Sequence, residues 1–246
     1  MQQIPKTVHL SWKTKDLLNS DAPIVVNGMR KLAELNPDWD IQISDDQEVN
    51  EYLQKRLEPT EYALVKDLGI VPKTDIWRLI KMYFEGGLYV DVDRFWNLCL
   101  SDIVDEQIKQ VIPTNKDFDF AHDFMLSAPN SPVFAAAIDL YFKRRRDGHN
   151  DIYLLGPQTY MHAVSYAVFG TIIDTNPGKE VFDQMRLIMN SHEFLKTFRE
   201  DGPYNTICYQ DGRHGVRADG MKTIHWEMQK RNFYASQGIK HWTGEW

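Results

Sequence analysis

Cysteine is scarce in this chain of 246 residues, with Cys99 and Cys208 the only two. Two thiols cannot build a disulfide framework, and their separation fits no metal-binding spacing. Both are therefore expected as free thiols in a reducing compartment. Asn-x-Ser/Thr sequons are absent. The longest mostly apolar run, 163–173, is interrupted by Ser165, Gly170 and Thr171 and is too short to span a bilayer. An excess of positive charge is missing too. A net charge of −7 argues against a general nucleic-acid-binding role. No repeat, low-complexity tract or Pro/Gly/Ser linker divides the chain. One α/β domain over 1–246 is expected, and 43% hydrophobic residues supply an ordinary core for it.

What is present is an alternation of short apolar runs with helical periodicity, the pattern of a sheet flanked by helices. Strands are predicted at Thr7–Trp12, Asp40–Ser44, Leu88–Val92, Gln110–Pro113 and Phe118–His122. Helices are predicted at Pro23–Asn36, Asp46–Leu57, Lys73–Glu85, Pro132–Arg146, Gly156–Phe169 and Lys179–Asn190. Open α/β sheets bind ligands at the carboxyl ends of their strands, which assigns ligand binding to the first half, about 1–115. The second half, about 116–246, is expected to shape the other side of the site.

The most informative stretch is Glu85-Gly86-Gly87-Leu88-Tyr89-Val90-Asp91-Val92-Asp93. Gly86-Gly87 offers a tight entry with free choice of φ, and Leu88 and Val90 suit buried strand positions. In an extended strand Asp91 and Asp93 project to the same side. Two adjacent carboxylates repel each other unless a cation lies between them, and a hard divalent ion, Mn²⁺ or Mg²⁺, suits oxygen donors that leave room for phosphate. A solvated acidic strand end is the competing reading. Upstream, Ile76, Leu79, Ile80, Tyr83 and Phe84 recur at helical spacing, so Asp75 and Arg78 share one helix face. That pair is either a grip for sugar hydroxyls or a surface ion pair.

Four segments in order resemble the glycosyltransferases with a DXD sugar-binding region, a family that includes initiating α-1,6-mannosyltransferases and, more distantly, the clostridial glucosylating toxins. They are Ile4 to Trp12, Asn36-Pro37-Asp38-Trp39 with Ile41 to Asp46, Asp75 to Arg78 with Gly86 to Asp93, and His241-Trp242-Thr243-Gly244-Glu245-Trp246. The last differs from the family ending by Glu245 where serine is usual. The resemblance implies a GT-A-type nucleotide-sugar-binding fold with a central, mostly parallel sheet. It also implies a retaining, metal-dependent hexosyltransferase that uses a UDP- or GDP-hexose donor and a glycan or lipid-linked acceptor, as in polysaccharide biosynthesis. Asp93 would bind Mn²⁺ or Mg²⁺, Asp91 the metal or the ribose, and His241 would be a third metal ligand. Asp75 and Arg78 would hold the sugar, with Tyr89 beside them.

Further candidates are weighed against plainer roles. Trp12 either stacks on a nucleobase or fills the core, whereas His9 is expected as a satisfied core histidine. Asp123 stands where the family commonly has Asn, facing the sugar. Gly156 begins a Gly-Pro helix start whose amides either bind a ligand oxygen or simply cap the helix. Lys143-Arg144-Arg145-Arg146 is expected as a solvated basic helix end, with an anionic-lipid patch as the alternative. Trp242 and Trp246 belong to a C-terminal lid over the donor or to the core. The matching N-terminal strand begins at residue 4, so no leader or anchor is expected. The enzyme is expected in the cytoplasm of a bacterium or virus, at most peripheral to a membrane, and without nucleic-acid partners. Two rival functions are a metal-dependent nucleotide-sugar hydrolase and a non-catalytic carbohydrate-binding protein.

Overall fold

A computed structural model describes residues 3–19, 23–92, 99–102, 104, 109–114, 122–169, 206–210, 235–236 and 238. Six strands form one sheet: β1 (Thr7–Ser11), β2 (Asp40–Ser44), β3 (Gly87–Val90), β4 (Gln110–Thr114), β5 (Phe124–Ser127) and β6 (Thr206–Gln210). Their order is β2-β1-β3-β5-β4-β6. The β1–β2, β1–β3 and β4–β6 pairs are parallel, and β5 runs antiparallel to both neighbours, β3 and β4. Seven α-helices are described: α1 (Pro23–Leu35), α2 (Asp46–Arg56), α3 (Pro59–Val65), α4 (Ile70–Phe84), α5 (Pro132–Arg146), α6 (Ile152–Leu155) and α7 (Pro157–Phe169).

Alternation along the strands splits the core into two layers. Val8, Leu10, Leu88, Val90, Phe124 and Leu126 pack with Val25, Met29 and Leu32 of α1. On the opposite face, Tyr89 and Met125 pack with Ile76 and Leu79 of α4, Phe134 and Tyr141 of α5 and Tyr160 of α7. Helix ends are set by local chemistry. Asp45 accepts from the Glu48 amide at 2.9 Å while the Glu48 side chain takes the Asp45 amide, the reciprocal cap of α2. Ser131 caps α5 just ahead of Pro132.

Three expectations need correction. Helix α4 starts at Ile70 and not at Lys73, so Pro72 lies inside its first turn. Amides of that turn have no helical partner in any case, and proline is tolerated there. Phe124–Ser127, all four residues buried, is a strand beyond those expected. His122, expected to end a strand over Phe118–His122, forms with Asp123 the bend leading into it, and 118–121 lie outside the described residues. The basic end of α5 is not uniformly solvated. Arg144 is buried, donating to the Leu154 carbonyl at 2.7 Å and Thr159 Oγ1 at 2.8 Å, with His162 Nδ1 2.6 Å away. Arg145 closes α3 through the Leu64 carbonyl at 2.9 Å. The cations thus fasten α6, α7 and α3 to α5. The predicted helix Lys179–Asn190 also lies outside the described residues.

The junction between α4 and β3 is tight. Gly86 and Gly87 have φ of +65° and +88°, and a Cβ on Gly87 would stand 2.5 Å from the Thr7 carbonyl oxygen. His9, buried on β1, lies 3.0 Å from the Gly86 carbonyl through Nε2 and so latches the turn to the sheet. Burial, and then the charge of Lys81, lower its pKa from 6.5 to about 4. The folded state therefore prefers neutral His9, and between pH 6.5 and about 4 the unfolded chain binds more protons. Stability from this group is complete above pH 6.5 and is lost as pH falls toward 4. Urea titrations across that window should show a decline with a His9 contribution of about 3 kcal/mol, and His9→Gln should flatten it.

Candidate functional site

Strand β3 and helix α4 bring the central residues together at the carboxyl edge of the parallel strands. Tyr89 and Asp91 are two residues apart, and the Tyr89 hydroxyl donates to Asp91 Oδ1 at 2.6 Å. From α4, Arg78 Nη1 reaches the same Oδ1 at 3.3 Å, while its Nη2 meets Asp75 Oδ1 at 3.1 Å. The guanidinium also lies over the Tyr89 ring, 4.5 Å from its centroid. One arginine thereby fixes a carboxylate on its own helix and another beyond the neighbouring strand.

Exposure separates the two acids. The side chains of Asp75 and Arg78 are 5% and 7% exposed, that of Asp91 34%. Asp91 is the more open of the two carboxylates, and Arg78 holds both. Burial alone would push the Asp75 carboxyl up, but the charge of Arg78 and the bond from His122 bring it below its ordinary value. Burial likewise opposes the charge on Arg78, yet the facing Tyr89, Asp91, Asp75 and Asp123 raise its pKa above the usual arginine value. Burial raises the Tyr89 phenol, which keeps its proton for Asp91. The surface ion pair weighed from the sequence is instead a buried network.

The loop ahead of β5 completes the assembly. His122 Nε2 is 3.1 Å from Asp75 Oδ1, and the His122 carbonyl accepts from Arg78 Nη1 at 3.4 Å. The Asp123 carbonyl accepts the Asp91 amide at 3.0 Å. Asp123 therefore joins the group, through its backbone to Asp91 and through its charge to Arg78. His122 carried no distinctive spacing in the sequence. Its one signal was a titratable residue directly ahead of a short apolar run.

Other candidates fall differently. Trp12 leaves the sheet at the carboxyl end of β1, half-buried against the core, where its amide donates to the Ser44 carbonyl at 3.0 Å. Both of its readings remain compatible with that position. Gly156 does not offer its amide to a ligand, because that N–H donates to the Ile152 carbonyl at 2.8 Å. What it offers is space, since a Cβ there would stand 2.7 Å from Asp75 Oδ2. The strand expected to Val92 ends at Val90. Asp93, His241, Trp242 and Trp246 lie outside the described residues. Among the described residues no three His, Cys, Asp or Glu gather as a metal-ligand group. Asp91 is nonetheless a half-open hard-oxygen donor that fits Mn²⁺ or Mg²⁺.

Removing Arg78 would leave Asp75 buried without its main counter-charge. Arg78→Ala is expected to lower unfolding free energy by about 3–5 kcal/mol, read from the denaturant midpoint. Arg78→Lys should recover only part of it, because an ammonium cannot span two carboxylates as a guanidinium does.

Residues 24–116 match the family described as the glycosyltransferase sugar-binding region containing DXD motif, a stretch that includes Asp75, Arg78, Tyr89, Asp91 and Asp93. No curated protein matches the chain. A solved structure described as PaToxG Glycosyltransferase aligns with 96% of this chain and 86% of its own, at 17% identity and a TM-score of 0.48. Among the described residues no helix is long and apolar enough to cross a membrane. Within residues 24–116 the chain is similar to the DXD-containing sugar-binding region of glycosyltransferases.

Proposed function

We propose that the chain is a metal-dependent, retaining glycosyltransferase of GT-A type that moves a hexose from a nucleotide-diphosphate sugar to a glycan or lipid-linked acceptor. The observation that carries this reading is the Asp75–Arg78–Asp91–Tyr89 network, inside the matched region, with Asp91 open to solvent at the carboxyl edge. Tyr89 and Arg78 both bond Asp91 Oδ1, so the carboxylate arrives at the donor already oriented and loses little freedom on binding. Asp91 contacts the ribose or the cation, Asp93 and His241 complete the metal set, and Asp75 with Arg78 faces the sugar end. Trp12 stacks on the base, and Asp123, whose carbonyl accepts the Asp91 amide, faces the sugar. Trp242 and Trp246 cover the donor. When bound, Mn²⁺ or Mg²⁺ offsets the charge that develops on the departing diphosphate. The chain's own contribution is positional, since the buried Arg78 places a fixed positive charge behind Asp91 before any ligand enters.

A thermal-shift panel of UDP- and GDP-hexoses, with and without Mn²⁺, tests the reading. A donor at a hundred times its Kd should stabilise the protein by about 2.7 kcal/mol, and only with metal present. Asp91→Asn should weaken that response, and Asp93→Ala should abolish transfer while leaving the melting temperature of the unliganded protein unchanged. Sugar release at equal rates with and without an acceptor would identify a hydrolase. Glycan binding that survives loss of both aspartates and needs no metal would identify a binding module.

A further inference from the structure

We infer that His122 is a positioning residue for this site, acting through Asp75 to set the Arg78 guanidinium against Asp91. The inference deepens the glycosyltransferase reading and rests on it for its catalytic consequence. Three contacts carry it. His122 Nε2 lies 3.1 Å from Asp75 Oδ1, the same oxygen that Arg78 Nη2 meets at 3.1 Å. The His122 carbonyl receives Arg78 Nη1 at 3.4 Å, so one residue touches both ends of the ion pair. The following carbonyl, of Asp123, takes the Asp91 amide at 3.0 Å.

Asp75 cannot be held by α4 alone. A carboxylate on a helix swings about two side-chain torsions, and its i, i+3 arginine moves with it on the same helix. His122 comes from a different element, the bend entering β5, and its side chain is itself only 13% exposed. It is therefore an external reference for Asp75. On the other side, Gly156 leaves no Cβ to displace Oδ2. With Asp75 pinned between His122 and Gly156, the guanidinium has one orientation in which Nη2 meets Asp75 while Nη1 meets Asp91. Loss of the His122 bond leaves the residues present but Arg78 free to rotate away from Asp91, which is a loss of orientation and not of binding surface.

Three proteins separate this from a purely structural role: wild type, His122→Phe, which keeps the ring but has no donor, and His122→Gln, whose Nε2 stands near the position of the histidine Nε2. His122→Phe should lower kcat by roughly ten- to a hundredfold. Donor KM and nucleoside-diphosphate affinity should stay within about twofold of wild type. His122→Gln should restore most of kcat. Arginine side-chain ¹⁵N NMR supplies a readout independent of turnover. Sharp, slowly exchanging Arg78 Nη–H signals in wild type should broaden in His122→Phe and return in His122→Gln, while Nε–H, which donates to the Thr74 carbonyl of its own helix at 3.4 Å, serves as the reference. Unchanged Arg78 Nη–H signals in folded His122→Phe overturn the inference, as does a kcat within twofold of wild type. Losses in KM that match those in kcat would place His122 in donor binding and overturn it as well. A wild-type protein with no transfer activity but the expected NMR pattern would refute the glycosyltransferase reading and leave the positioning role standing.

Discussion

A guanidinium removed from water must be met by opposite charge and by hydrogen-bond acceptors, and in this protein Arg78 is met from four directions. Asp75 stands on its own helix, Asp91 follows β3, the Tyr89 ring lies beneath it, and the His122 carbonyl arrives from the bend before β5. An isolated buried charge would cost several kcal/mol, so these elements pack in the one arrangement that compensates it. The sheet register, the close glycine turn and the absence of a side chain at position 156 are all consistent with that requirement. The same contacts that make the charge tolerable also aim the exposed carboxylate.

Much of this was legible in the sequence because it depends on local chemistry. Helix α5 follows its Ser-Pro start and ends as predicted, and β2 has the predicted bounds. The turn at Gly86-Gly87 was readable because only glycine accepts the left-handed backbone there. The grouping of Asp75, Arg78, Tyr89 and Asp91 followed from a helix delivering the chain directly into a strand. In each case the partners are close along the chain.

What was not legible involves partners far apart. His122 and Asp75 are separated by 47 residues, and no spacing rule connects them. Gly156 resembled a helix start, but its meaning lies in a carboxylate 81 positions earlier, a matter of volume that periodicity does not encode. The run of four cations on α5 looked uniform. The helix turns Arg145 to the Leu64 carbonyl of α3, and Arg144 is claimed by buried acceptors on α6 and α7. Strand β5 was not among the expected elements, since it is only four residues long and buried throughout, with no alternation to mark it.

The reversed direction of β5 has a consequence for how the two halves of the chain meet. A strand of four residues spans about 13 Å, so a parallel β5 would have its entrance on the far edge of the sheet, well out of reach of Asp91. Because β5 runs opposite to β3, the loop entering it opens where β3 finishes, with Val90 paired to Phe124. Asp91, at the end of β3, and residues arriving from the later half of the sequence therefore share a single rim. Changes in the length or composition of that incoming loop can alter what it presents there without shifting the register of either strand. The sheet itself is thus a joint between the earlier and later stretches of the chain, held by the β3–β5 register.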